Sequence, residues 1–136
     1  VFKDDPFIHI STTGGSELGC AVALEMLEIQ SDPKFLEHIK EMGVFFGKRL
    51  MEIAEEHSYI IKEARGRGLM WGLEFFKEDI CQLSMLSIIK QGVLLNYCAN
   101  KQDTLIIMPP LIVEKEEITE IITRIRQGII NIKKIR

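Results

Sequence analysis

The sequence predicts an α+β fold, a small sheet covered on one face by helices. Apolar residues recur at three- and four-residue spacing over two long stretches, Phe35 to Ile53 and Ile118 to Ile132, which is the helical period. Between them lie short segments bounded by Gly and Pro, and one of these alternates with period two: Leu69, Trp71, Leu73 and Phe75. Helices and strands alternate only partly, in the order two helices, two strands, a helix, two strands and a helix, which favours an α+β layer. At 136 residues the chain can bury a core.

The first helix is expected from about Ser16 to Gln30, and its Leu18–Ile29 stretch is apolar nearly all round apart from Glu25 and Glu28. A helix of that kind needs partners on several sides. Asp32 suits the N-cap of a second helix and Pro33 its first turn. That helix carries Phe35, Leu36, Ile39, Met42, Phe46, Leu50 and Ile53 on one face and should end near His57. Ile60 to Ala64 reads as a short strand broken by Arg65-Gly66-Arg67-Gly68, and Leu69 to Phe76 as its successor. Asp79 is placed to cap a third helix through Gln91. Val93 to Tyr97 and Thr104 to Met108 read as strands, the latter stopped by Pro109-Pro110. Acids at Glu114 to Glu117 open the last helix, with an apolar stripe of Ile118, Ile121, Ile122, Ile125, Ile129 and Ile132. Lys133, Lys134 and Arg136 put favourable charge at its C-terminus.

A net charge of −3 and no basic stripe argue against a nucleic-acid partner. No apolar run is long enough to span a bilayer. Cys20, Cys81 and Cys98 are odd in number, widely spaced and without a CxxC pair, which fits reduced thiols in the cytoplasm. His9, His38 and His57 lack metal-ligand spacing, so no metal is expected, and His38 and His57 fall in a polar helical register at the surface. The chain opens on Val1 with an extended, charged lead to Pro6; with the all-round apolar first helix, this suggests further sequence upstream or a second subunit.

No nucleophile–base pair, G-x-S-x-G elbow or P-loop is legible. Chemistry is instead suggested by His9-Ile10-Ser11-Thr12-Thr13-Gly14-Gly15, hydroxyls and glycines placed directly before a helix. It reads either as an anion site, plausibly for phosphate, or as a plain helix entry with a Ser/Thr/Gly cap. Arg65-Gly66-Arg67-Gly68 likewise reads as a clamp for a carboxylate or phosphate, or as a tight turn with a structural ion pair. Trp71 and the pairs Phe45-Phe46 and Phe75-Phe76 are assigned to packing.

Three segments together resemble the class III aminotransferases. His9 to Gly15 followed by Leu18-Gly19-Cys20-Ala21-Val22-Ala23-Leu24 is similar to one of that family's signatures, and Arg65 to Glu74 to a second. Leu105 to Val113 with Glu116-Glu117-Ile118 resembles its closing Pro-Pro-Leu segment with an acidic helix start. The resemblance implies a pyridoxal-phosphate enzyme of fold type I that works as a homodimer on a small-molecule amine or amino acid. The matched part is C-terminal: residues 1–30 correspond to the end of the large cofactor-binding domain, and 31–136 to a small C-terminal domain with a mostly antiparallel sheet. The Thr matching Thr12 contacts the cofactor phosphate from the neighbouring subunit, and Ser11 is the adjacent candidate. The cofactor-bearing lysine, the aspartate at the pyridine nitrogen and the Gly-rich phosphate loop lie upstream of the matched part, so no catalytic residue is assigned within the chain and the isolated chain is expected to be inactive. Ile106 occupies the position where many members carry an Arg for the substrate's α-carboxylate, which implies an amine, or a substrate held elsewhere. Three other readings remain: a fragment of the related aminomutase, a free-standing α+β domain that binds a ligand or partner without catalysis, and a folded α+β module with no retained function.

Overall fold

The computed structural model describes residue 3 and residues 10–132, so the lead from Val1 to Pro6 (save Lys3), His9 and the charges at Lys133, Lys134 and Arg136 lie outside the described residues. The chain divides into two compact units, Val1–Glu37 and His38–Arg136. The first unit holds α1, Glu17–Ser31, and the start of α2, Pro33–Glu56. Ser16 caps α1, its side chain accepting from the Gly19 N–H at 3.3 Å. Asp32 Oδ1 accepts from the Lys34 N–H at 2.8 Å, and Pro33 opens α2, as expected of an Asp-Pro helix start. No residue of α1 is buried.

In the second unit, β1 (Ile61–Arg67), β2 (Met70–Phe75), α3 (Glu78–Lys90), β3 (Asn96–Cys98), β4 (Lys101–Ile107) and α4 (Lys115–Ile132) follow α2 in the order the sequence predicts. The four strands pair antiparallel throughout, in spatial order β1-β2-β4-β3. Register places Ala64, Leu73 and Leu105 in one cross-strand row and Gly66, Trp71 and Ile107 in the next. These belong to the inner face, which shares one core with Phe46, Leu50 and Ile53 of α2, Ile80 and Ile88 of α3, and Ile118, Ile122, Ile125 and Ile129 of α4. The outer face carries Arg65, Gly72, Ile106 and Asn96 in a single row, with Glu74 and Thr104 beside it.

Glycines set how closely these layers meet. A Cβ on Gly47 would stand 2.0 Å from Trp71 Cζ2, and one on Gly43 would stand 2.6 Å from Gly68 Cα. Gly43 and Gly47 are four apart on one face of α2, so the helix lies directly on the β1–β2 hairpin there. Trp71 is half-buried in this packing, its Nε1 donating to the Gly68 carbonyl at 2.8 Å, in agreement with a core role.

Several expectations need correction. β1 does not break at Arg65 but runs through Arg67, because Gly66 lies under the Trp71 ring and only Gly68, at φ +57°, turns the chain. Asp79 does not cap α3: Lys77 occupies the cap without a side-chain bond, and Asp79 Oδ1 accepts from the next N–H inside the first turn. The third strand is Asn96–Cys98 rather than Val93 to Tyr97, because residues before it are spent on ending α3. Gly92, at φ +87°, donates to Ile89 O at 2.8 Å and Val93 N–H to Ile88 O at 3.4 Å, a Schellman stop. His57 is buried rather than at the surface, because the chain folds back over it: its carbonyl accepts from the N–H groups of Ile60 and Ile61, both at 2.9 Å. Of the phenylalanine pairs, Phe46 and Phe75 are core, whereas Phe76 is exposed.

Candidate functional site

The hydroxyl-rich segment forms a turn over residues 12–15 immediately before α1. The Gly14 N–H donates to Ser11 O at 3.4 Å and the Ser16 N–H to Thr13 O at 3.2 Å. Both glycines are explained locally: Gly15 has φ +77°, and a Cβ on Gly14 would stand 3.0 Å from Ser11 Cβ. Capping of α1 falls to Ser16, which leaves the hydroxyls of Ser11 and Thr12 exposed ahead of a helix N-terminus. Exposed hydroxyls beside backbone without Cβ atoms suit a phosphate group, so these residues fit the one expected of pyridoxal phosphate.

The second signature, Arg65 to Glu74, builds an ion-pair cluster on the outer sheet face. Glu74 has a side chain only 5% exposed, and it lies between the core residues Leu73 and Phe75. Lys62 Nζ and Lys101 Nζ each stand 2.7 Å from its Oε1, and Arg65 Nη1 donates to its Oε2. Hydrogen bonds from Lys101, then Lys62 and Arg65, hold this carboxyl down at about 2 in spite of its burial. Glu74 and then Glu63 raise the pKa of the Arg65 guanidinium, and Glu74 raises that of Lys101. Of the two readings of Arg65, the structure supports the structural ion pair.

The third signature borders a concave groove of about 1000 Å³ between β3, the end of β4 and the first turns of α4. Ile106 lines it, with Val93, Leu95, Met108, Pro109 and Ile121. One wall is built by Arg124, whose Nη1 donates to the Gln91 carbonyl at 2.9 Å and whose Nη2 donates to Glu120 Oε1 at 2.5 Å. Gly92 leaves the space that this guanidinium fills, since a Cβ there would stand 2.5 Å from Arg124 Nη1. Glu117 Oε2 accepts from the Glu114 N–H at 2.9 Å, which satisfies one backbone donor at the start of α4.

Ser11 and Thr12 thus belong to the first unit, and the Arg65 cluster and Ile106 to the second. Sequence reasoning missed Glu74 and Arg124. The signal for Glu74 was present, an acid between the inward-facing Leu73 and Phe75 with basic residues on neighbouring strands. Arg124 gave half a signal, the Glu120 one helical turn before it, but its other partner, the Gln91 carbonyl, lies 33 residues away. Among the described residues no group of three or more His, Cys, Asp or Glu could hold a metal ion, and no helix is long and apolar enough to cross a membrane.

The family model for class-III aminotransferases matches residues 3–129. An acetylornithine aminotransferase of Caldanaerobacter subterraneus is 38% identical over 120 residues, covering 88% of this chain and 29% of the relative. An ornithine aminotransferase of Brevibacillus brevis is 36% identical over 130 residues, covering 90% and 29%. The chain therefore spans under a third of the length of the curated relatives it matches. Among solved structures, a Bacillus anthracis aminotransferase superposes with a TM-score of 0.79 at 26% identity over 91% of this chain and 30% of its own. A Toxoplasma gondii ornithine aminotransferase, described with partial occupancy of PLP at its active site, gives 0.78 at 29% identity over 93% and 30%.

Proposed function

The chain belongs to the class-III aminotransferase family, a pyridoxal-phosphate-dependent family, and from that premise we propose that it is the C-terminal portion of a transaminase moving an amino group between an amine or amino acid and a 2-oxo acid. Residues 1–30 close the large domain and 31–136 form the small one. The enzyme is a cytoplasmic homodimer, and each chain lends its residue 11–15 turn to the cofactor of the neighbouring subunit. The cofactor, when bound, supplies the electron sink for the chemistry. Thr12 donates its hydroxyl to a phosphate oxygen, Ser11 offers a second donor, and the glycine-rich turn lets the backbone approach the same anion. None of the residues in this chain moves a proton in the reaction. The observation that supports this reading is the family match over residues 3–129 together with exposed hydroxyls at Ser11 and Thr12 that capping of α1 does not use.

The test is cofactor affinity in the full-length protein. A hydrogen bond to a charged group contributes about 1.5–3 kcal/mol, so Thr12→Val should weaken pyridoxal-phosphate binding about tenfold or more, read by absorbance titration. Thr12→Ser should retain most of it. Unchanged affinity in Thr12→Val would remove Thr12 from the site.

A further inference from the structure

We draw no further inference here: the strongest candidate, the largely apolar groove between β3, the end of β4 and the first turns of α4, carries nothing because nothing in the structure shows what covers it.

Discussion

Glu74 is a carboxylate placed where a strand would otherwise bury an apolar residue, and it persists because three cations surround it. Lys62 and Arg65 come from β1 and Lys101 from β4, so one side chain of β2 ties together three strands. Its carboxyl is held at about 2 against an ordinary 4.5, a depressed value, so the stabilisation is full above the unfolded carboxylate's pKa and is lost as pH falls from about 4.5 through about 2. Urea unfolding of the protein should lose up to about 3 kcal/mol over that window. Glu74→Gln should remove that slope while lowering stability at neutral pH, since three cations lose their shared partner. An unchanged pH profile in Glu74→Gln would show that the cluster does not couple to folding. Cys81 gives a second check at this scale. Burial, then Asp103 and Glu78, push its thiol up to about 12, so iodoacetamide at pH 8 should leave it unlabelled until the protein unfolds, while the exposed Cys20 reacts.

At the scale of the element, the decisive contact is α2 against the β1–β2 hairpin. Gly47→Ala would gain about 1 kcal/mol of helix propensity, but the added methyl would fall 2.0 Å from Trp71 Cζ2. Overpacking of this kind costs about 1–3 kcal/mol, so the variant should be less stable in denaturant melts and should show altered Trp71 fluorescence. A gain in stability would mean that the helix can lift off the hairpin. The long elements were legible because their signals are local: α2 and α4 from the period of their apolar faces, β2 from alternation, α1 and α2 from Ser16 and Asp32 at their starts. β1 was cut short because Arg65-Gly66-Arg67 looks like a loop until Trp71, a residue of the next strand, is known to cover Gly66. β3 was misplaced because it has three residues and takes its register from β4 alone. The Thr12 turn was found through its residue types, whereas the groove was not, since its walls are spread over β3, β4 and α4.

At the scale of the whole molecule, α1 buries none of its residues although Leu18, Leu24 and Leu27 are each at least 60% exposed. Contiguous apolar surface of this kind marks an interface. Residues 1–136 produced alone should self-associate, measured by sedimentation, and Leu24→Glu should reduce that association; a clean monomer would show that the surface needs no partner. The same material should show no transaminase turnover and no absorbance from lysine-bound cofactor, because the resemblance to class III aminotransferases implies that the cofactor-bearing lysine lies upstream of the matched segments. Stoichiometric lysine-bound cofactor would overturn that expectation.

The stop of α3 at Gly92 and the seat of Arg124 occupy one volume, and this makes the two positions genetically interdependent. Gly92→Ala imposes both a left-handed backbone on an L side chain and a 2.5 Å collision with Arg124 Nη1. In an Arg124→Ala background only the backbone strain remains, so the two substitutions together should be milder than the sum of each alone, a positive coupling that a double-mutant cycle would read directly. Sampling residues at position 124 will therefore change only the smaller, side-chain part of the cost of substituting Gly92, while the left-handed backbone keeps its own part.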